Sequence, residues 1–470
     1  MGNGKGILKN ISYTLFSNLI AFAVSAIVTF IVPKRLGVES YGYFQLYLFY
    51  SSYTGFLHFG WADGLFLRYG GAYYDELNKP LMKGQFVLYF IMVSLLGLMI
   101  CLISFFVNIG SEKANVLLVT GFVICIHLPR TLLQYILQST NRLKEYAFLV
   151  TSERVIYICA IILYLLSGSD SYMDMMFSDA IGKFAALAYA MYQCRDILSA
   201  KACGLHEIAC EAKENIKVGI KLMFANIASF LIIGIVRMSI EHQWDVATFG
   251  KISLTMSVSN LLMVFIRAVS LVMFPVLRRT NSDQLSEIYL VLRNAIMVLL
   301  LGMLILYCPA KEVLGVWLPQ YADSLKYMAL LFPMCVFESK MSMLIETYMK
   351  TLRQEKHLLI INLLTVLVSA VLSILCVFVL RNLTLAVLSI VVLIAFRCIT
   401  AELIMAKSLN VSVKKDIVME LILACAFILS SWLVGNDWGV LIYLLAYLVY
   451  VMIKWPEINH ILRIVIRRMK

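Results

Sequence analysis

Charged residues are scarce in this 470-residue chain. They make up 14% of the sequence, whereas a soluble domain averages about 25%. No stretch is polar enough to form a soluble domain, although the length alone would suggest roughly two or three of them. The composition therefore predicts one membrane-embedded body.

The sequence also lacks a metal-binding pattern. Its eleven cysteines are scattered, and most lie inside apolar runs, where a free thiol acts as a small hydrophobic group. Cys194, Cys203 and Cys210 lie near one polar loop, but their spacing fits no zinc template, even with His206 beside them. We therefore expect no metal and no organic cofactor.

The chain does contain fourteen apolar runs, each long enough to cross a bilayer. Crossing takes about 20 helical residues, and backbone polar groups must be satisfied within the lipid, which allows only helices or a closed barrel. The runs are continuous rather than alternating, so they predict an all-α polytopic membrane protein. The predicted spans are 10–32, 41–62, 85–107, 115–138, 146–166, 173–194, 218–240, 250–274, 288–308, 324–349, 357–380, 383–406, 417–434 and 437–454.

Basic residues are distributed unevenly between the predicted loops. With the N-terminus inside, the outer loops hold only Lys34, Arg35, Lys113, Lys251, Lys311, Lys326 and Arg381. Because cytoplasmic loops carry the excess of Lys and Arg, both termini are predicted in the cytoplasm. This accounts for the net charge of +12 without nucleic acid as a partner, and the basic tail after Trp455 is expected to meet anionic membrane lipids.

The predicted loops are short. The longest, 195–217, is cytoplasmic and falls near the middle of the chain, and 309–323 is the only sizeable outer loop. This leaves no room for an extracytoplasmic catalytic domain.

The two halves of the chain resemble each other. At an offset of 208 positions (Lys9 to Lys217), Asn18 meets Asn226, and Val38 and Gly42 meet Val246 and Gly250. The first six predicted spans and the next six therefore look like two copies of one six-helix unit. Because six is an even number, both copies have the same orientation in the membrane. Such parallel repeats are typical of transporters, whose site lies between the repeats. The predicted organisation is therefore a lobe at 1–194, a cytoplasmic linker at 195–217, a second lobe at 218–406, and two further helices with a basic tail at 407–470.

Polar residues interrupt the first two predicted spans of each half. Such residues face a bundle interior or a wet cavity, although small and hydroxylated ones also serve simply to pack helices closely. The larger polar and aromatic residues that would line a cavity are Asn18, Asn226, Asn260, Tyr47, Tyr50, His58 and Trp61.

Basic residues inside the spans outnumber the acids near them. Pairing within the bundle is one explanation, above all for Asp179 and Lys183, which are one helical turn apart. An excess of positive charge around a cavity would instead suit an anionic passenger, and phosphate matches both Arg and Lys. These interior cations are Arg130, Arg154, Lys183, Lys221, Arg237, Arg267, Arg293, Lys340 and Arg397.

Four segments resemble those of a known family. They are Arg35-Leu-Gly-Val-Glu-Ser-Tyr-Gly-Tyr-Phe44, Gly60-Trp-Ala-Asp-Gly-Leu-Phe-Leu-Arg-Tyr69, Phe274-Pro-Val-Leu277 and Trp317-Leu-Pro-Gln-Tyr-Ala-Asp-Ser324. They are similar to segments of the Wzx-type flippases of polysaccharide units, in the superfamily that also contains multidrug extruders and the lipid II flippase. The resemblance covers essentially the whole chain.

The resemblance implies a V-shaped, MATE-like bundle of two six-helix lobes plus two C-terminal helices. The passenger would be an O-antigen or capsule repeat unit on undecaprenyl diphosphate, turned from the inner to the outer leaflet of the bacterial cytoplasmic membrane by alternating access. Coupling to a gradient of H+ or Na+ and handover to polysaccharide polymerase machinery would follow.

Under this interpretation the interior residues take three roles. Arg267, Lys221, Arg237 and Arg130 would bind the diphosphate, with Arg154, Lys183, Lys340 and Arg397 as secondary cations. Asn18, Asn226, Asn260, Tyr47, Tyr50, His58 and Trp61 would contact sugar. Asp63, Asp179 and Glu338 would couple ion movement.

Three other functions compete with this one. A multidrug or cation antiporter of the same fold would favour acids rather than bases in its cavity. A membrane glycan polymerase or glycosyltransferase would need an extended external loop, and the first one here, 33–40, is too short. A scaffold without transport activity would not need buried Arg and Lys.

Overall fold

A computed structural model describes residues 22–107, 110–278, 282–434 and 437–469, with side chains except at 262, 264–284, 437, 458 and 460–469. Within these ranges the chain is helical and contains no β-strand. The prediction of an all-α protein is therefore confirmed for the part of the chain that the structure describes.

The chain divides into two compact units, and unit 1 is Met1–Ile227. Side-chain oxygens of Asn78 and Ser171 accept backbone N–H groups and so fix where two of its long helices begin. In order, the helices are 22–30 (α1), Val32–Leu36 (α2), Val38–Thr54 (α3), Trp61–Arg68 (α4), Lys79–Phe106 (α5), Ser111–Ser139 (α6), Leu143–Leu166 (α7), Tyr172–Gln193 (α8) and Arg195–Leu198 (α9). Helix α5 packs along α6, and α6 and α7 both pack against α8.

Unit 2 is Ala228–Lys470. The helix Leu205–Gln243 (α10) begins in unit 1 and ends in unit 2, so the boundary between the units falls inside one helix. The helices that follow are Val246–Arg278 (α11), Ser282–Met303 (α12), Tyr307–Trp317 (α13), Ala322–Leu331 (α14), Met334–Lys340 (α15), Glu346–Thr351 (α16), Glu355–Ser373 (α17), Leu383–Ser408 (α18), Lys414–Leu429 (α19) and Asp437–Met469 (α20). The core of unit 2 lies where α15 and α17 pack on α18 and where α11 packs on α14.

Nine helices in the described ranges are long and apolar enough to cross a membrane, and a tenth span results if the bent pair Pro319–Leu331 and Met334–Thr351 counts as one. These ten correspond to predicted spans. The predicted spans 41–62 and 173–194 do not meet the same criterion, and the predicted spans 10–32 and 250–274 each include residues that lie outside the described part of the chain or whose side chains do. The total of fourteen therefore stays a prediction, as do the domain limits.

Two predicted spans are broken. The span 41–62 divides into α3 and α4, joined by the 3-10 turn Gly55–His58 and by Phe59 and Gly60 in left-handed conformations (φ 50° and 80°). The span 324–349 divides at Pro333, and its two parts meet at 42°, because proline lacks the N–H that would continue the helix. The break after α3 determines where the polar residues of α4 lie.

Candidate functional site

Ion-paired side chains occupy the interior of unit 1. Arg130 on α6 donates from Nε to Glu153 Oε2 on α7 at 2.9 Å and from a terminal nitrogen to Gln134 Oε1 at 2.8 Å. Arg130 and Glu153 are both buried. Arg130, which was predicted to bind the diphosphate, is therefore paired with the carboxylate of Glu153 in the structure.

A second buried pair lies on α8. Lys183 Nζ donates to Asp179 one turn earlier, which is the pairing that their spacing predicts. Tyr47 on α3 donates its hydroxyl to Asp179 Oδ2 at 2.5 Å, and the Lys183 ammonium lies 5.9 Å from the centre of the Tyr47 ring. Three of the predicted site residues thus come together and satisfy one another.

Arg154 on α7 differs from these cations. It is exposed, and it has no carboxylate partner among the described residues. Its positive charge acts electrostatically on His127 on α6, as do the charges of Arg130 and Lys183. Arg154 therefore adds a positive charge beside the paired interior of unit 1.

Buried polar side chains lie at the break between α3 and α4. Asp63 is buried, and His58 Nε2 lies 3.7 Å from its Oδ2. Trp61 is also buried and donates Nε1–H to Gln85 Oε1 at 2.8 Å. His58 and Trp61, predicted to contact sugar, are therefore engaged inside unit 1.

Unit 2 contains a fully buried ionic network. Lys340 Nζ on α15 lies 2.5 Å from Glu402 Oε2 on α18 and 2.6 Å from Glu420 Oε2 on α19. Arg293 on α12 contacts the same two carboxylates, each at 2.7 Å, and Tyr289 donates its hydroxyl to Glu402 at 2.9 Å. Two cations and two carboxylates thus neutralise one another.

The network extends toward the end of α20. Asp416 on α19 lies 3.3 Å from Arg293 and 2.7 Å from Lys454 Nζ. Lys454, which is buried, also contacts Glu457 at 2.7 Å and Asn294 at 3.4 Å. These contacts attach α19 and α20 to α12 by charge as well as by apolar packing.

Arg397 on α18 forms a separate cluster. Its guanidinium lies 3.0 Å from Glu346 and 3.6 Å from Glu338, and its Nε donates to Asn362 Oδ1 at 2.8 Å. Glu338, a predicted coupling residue, is therefore bound to a permanent cation, as Asp179 is.

Several predicted residues belong to neither the unit 1 pairs nor the unit 2 clusters. Lys221, Asn226 and Asn260 are exposed, and Tyr50 is half-buried beside Phe49. Arg237 donates to Ser253 Oγ at 2.9 Å and lies 5.1 Å from the centre of the Phe249 ring. Asn18 and the side chain of Arg267 lie outside the described residues, so the sugar contact of Asn18 and the diphosphate contact of Arg267 stay predictions.

Sequence reasoning missed Asp416 and Glu420, two of the carboxylates of the unit 2 network. Asp416 and Glu420 are one turn apart at the start of α19, which was a usable signal for two groups on one helix face. Nothing local indicated that Arg293 and Lys340 would meet them. In the described ranges, no group of three or more His, Cys, Asp and Glu residues is arranged to hold a metal ion.

Comparison with known proteins identifies the fold. No protein-family model and no curated protein sequence matches the chain. Among solved structures, the lipid II flippase MurJ in an inward closed conformation matches with a TM-score of 0.67 at 13% identity, covering 96% of this chain and 100% of that one. An inward-facing multidrug resistance MATE family transporter of the MOP superfamily matches with a TM-score of 0.65 at 13% identity, covering 83% and 94%.

A third match is a MOP superfamily transporter from Pyrococcus furiosus whose binding pocket has reverse polarity. Its TM-score is 0.53 at 12% identity, with 86% of this chain and 96% of that one covered. The chain therefore has the MATE-like fold that its sequence predicts.

Proposed function

We propose that this chain, a polytopic helical protein with the fold of the MOP superfamily transporters, flips a lipid-linked oligosaccharide across a membrane. The passenger is an oligosaccharide repeat unit on undecaprenyl diphosphate, moved from the inner to the outer leaflet of the bacterial cytoplasmic membrane by alternating access. Both termini face the cytoplasm, an ion gradient drives the cycle, and the product passes to polysaccharide polymerase machinery for O-antigen, capsule or a related polymer.

The physical need for such a protein is clear. A diphosphate with attached sugars cannot cross hydrocarbon unaided, because its charges and hydroxyls would lose their hydration. A protein that offers cations in a wet site carries the head group while the polyprenyl chain stays in the lipid.

The observation that carries the proposal is the contrast between paired and unpaired charges. The buried carboxylates Glu153 and Asp179 are each neutralised by an Arg or Lys. Arg154 and Lys221, on apolar helices, are exposed and have no carboxylate partner among the described residues. A cation in a span is costly unless it meets water or an anion, so these two positions favour an anionic passenger.

The multidrug or cation antiporter is the second candidate, because a multidrug resistance MATE transporter shares the fold. A cationic drug would need a carboxylate whose charge is free to attract it. Glu402 and Glu420 in unit 2 are each bound by Arg293 and Lys340. This pairing favours the lipid-linked oligosaccharide over a cation.

Replacing Arg154 tests the proposal directly. In proteoliposomes that contain a labelled undecaprenyl-diphosphate oligosaccharide, we expect Arg154→Gln to slow transfer between leaflets about tenfold or more, since a hydrogen bond to a charged group contributes about 1.5–3 kcal/mol. Arg195→Gln is the matched control, because Arg195 is exposed on the short helix α9, where it stacks 5.0 Å from the centre of the Tyr192 ring.

Equal transfer rates for wild type and Arg154→Gln would remove Arg154 from the passenger site. Absence of any transfer by the wild type, together with efflux of a cationic dye, would favour the antiporter. Neighbouring genes for glycosyltransferases and a polymerase would favour the flippase.

A further inference from the structure

One face of the first turns of α10 is fixed against the rest of unit 1. Ile208, Ala212 and Asn215 are buried on this face. The side-chain amide of Gln85 donates to the Ile208 carbonyl oxygen at 2.7 Å, and Arg68 donates to Asn215 Oδ1 at 2.6 Å. Because these contacts fix the rotation of the helix about its axis, they also determine which side chains point away from unit 1.

The opposite face of α10 carries Lys213, Lys217 and Lys221, and all three lysines are exposed. Each residue of an α-helix turns by about 100°, so Lys217 lies about 160° around the axis from the buried Asn215. In the described part of the chain, Lys213 and Lys221 have no carboxylate partner. These lysines therefore form a basic face that unit 1 does not cover.

The acidic residues of the same segment do not cancel this charge. The Glu211 carboxylate lies on the inner side, where it accepts from Arg68 at 2.5 Å. Glu214 lies 3.6 Å from Lys217 and is the one other acid close to the three lysines. Glu207 is exposed but precedes the first of them by six residues, or about 9 Å along the helix. The basic face is therefore net positive, although the segment as a whole is close to neutral.

The basic face ends where the apolar surface of α10 begins. Val218, Leu222 and Phe224 are exposed apolar side chains. Phe224 follows Lys221 by one helical turn and lies about 60° from it around the axis. An exposed aromatic ring on a membrane-spanning helix faces lipid, and the long side chain of a neighbouring lysine extends to the interface. The three lysines therefore occupy about 12 Å of helix at the level of the lipid headgroups.

We propose that Lys213, Lys217 and Lys221 bind the headgroups of anionic phospholipids in the leaflet that is predicted to be cytoplasmic. Lysines immediately outside a span attract such lipids electrostatically. An ammonium group is a point charge without the fork geometry of arginine, and the face is open, so it selects negative charge rather than one headgroup. The bound lipids hold the start of α10, and α4 with it, at the membrane surface. This inference concerns resident lipids of the bilayer and does not depend on the proposed function.

Cys210 is a native reporter for this face. It is exposed and lies about 60° around the helix from Lys213. A fluorescent, membrane-impermeant maleimide attaches to it when Cys203 is replaced by serine, and phospholipids with a nitroxide on the headgroup quench the label at the membrane surface. We expect quenching to rise about twofold when about 30% of neutral phosphatidylcholine is replaced by phosphatidylglycerol. About 1 M salt should remove the increase, because it screens the attraction.

The double variant Lys213→Gln, Lys217→Gln is expected to lose most of the response to phosphatidylglycerol. Lys221 is left unchanged, because it is also assigned to the passenger. The matched control is Lys144→Gln with Lys356→Gln, which removes two exposed lysines from the first turns of α7 and α17 and should respond as the wild type does. Quenching that is independent of phosphatidylglycerol, or an equal response in the two double variants, would overturn the proposal.

The same label distinguishes resident lipid from the passenger. In neutral vesicles, a trace amount of the undecaprenyl-diphosphate oligosaccharide should leave the quenching unchanged. An effect as large as that of phosphatidylglycerol would assign the face to the passenger and overturn the proposal. Because the measurement needs no transport, a response to phosphatidylglycerol in a protein that moves no oligosaccharide supports the lipid face and contradicts the proposed function. Oligosaccharide transfer without that response contradicts the lipid face alone.

Discussion

Lys340 shows how much a single interior charge depends on its partners. Its ammonium is buried and lies within 2.6 Å of two glutamates from different helices. Removing two charges from water is expensive, and their attraction offsets that cost only when the geometry is good. The whole network therefore contributes little net stability. Removing one member is nevertheless strongly destabilising, because the remaining charges are then buried without compensation.

Replacing Lys340 by methionine is expected to destabilise the protein by about 3–5 kcal/mol, the usual effect of removing one partner of a buried ion pair. Thermal unfolding of the purified protein in detergent measures this as a lower midpoint. Lys326→Met is the control, since Lys326 is exposed beside Tyr327. Equal midpoints for the two variants would mean that Glu402 and Glu420 are not held by Lys340.

At this scale the sequence indicated the cations but not their partners. It placed Lys340 and Arg397 inside spans, and both are there, buried. Their carboxylates are distant in sequence, as with Glu402 and Glu420 around Lys340. Helical periodicity relates residues three or four apart, so it identified Asp179–Lys183 and missed the long-range pairs.

At the scale of elements, α4 and α10 cross closely within unit 1. A Cβ atom on Gly64 would lie 1.7 Å from the Asn215 carbonyl oxygen, and one on Gly219 would lie 2.0 Å from the Gly60 carbonyl oxygen. Around this crossing, Arg68 donates to Glu211 at 2.5 Å and to Asn215 Oδ1 at 2.6 Å. The start of α10 is thereby fixed to unit 1.

Alanine at Gly64 is expected to force the two helices apart, because the atom it would meet is backbone and cannot rotate away. Overpacking of this kind costs about 1–3 kcal/mol or more, so the unfolding midpoint and the yield of monodisperse protein should both fall. Gly55→Ala is the matched control on the preceding turn, where a Cβ atom meets nothing within 4 Å. Identical behaviour of the two variants would exclude a close crossing.

The sequence predicted where most helices lie but not where they break or continue. Apolar residues run through Phe56–Trp61, so hydrophobicity gave one span where the chain forms α3, a turn and α4. The linker was predicted at 195–217, and its residues 205–217 are helical and continuous with the following span. This stretch is polar because it is largely exposed, and its polarity says nothing about whether it is helical. Its contacts with α4 are what distinguish it from a flexible segment.

For the whole molecule, the distribution of basic residues predicts an orientation in the membrane, and this prediction is directly testable. Cys210 is exposed at the start of α10, on the predicted cytoplasmic side. A membrane-impermeant maleimide should label it only after spheroplasts are opened. A cysteine at Ser111, exposed at the start of α6 on the predicted outer side, should label in intact spheroplasts when Cys203 and Cys210 are replaced by serine.

The opposite labelling pattern would invert the predicted orientation.

The all-helical class followed from the physics of lipid, which allows helices for continuous apolar runs. The passenger did not follow in the same way, because it depends on which interior charges stay unpaired, and pairing is decided by tertiary packing.

The uninterrupted course of α10 also has a consequence for how the chain tolerates changes of length. One extra residue in an α-helix rotates everything beyond it by about 100° and advances it by about 1.5 Å. Residues 199–204 are non-helical, so an insertion there leaves the phase of α10 unchanged, whereas an insertion between Asn215 and Gly219 changes the helical phase between two close contacts with α4. Functional insertions and deletions in related chains should therefore concentrate in 199–204 and be absent from 215–219.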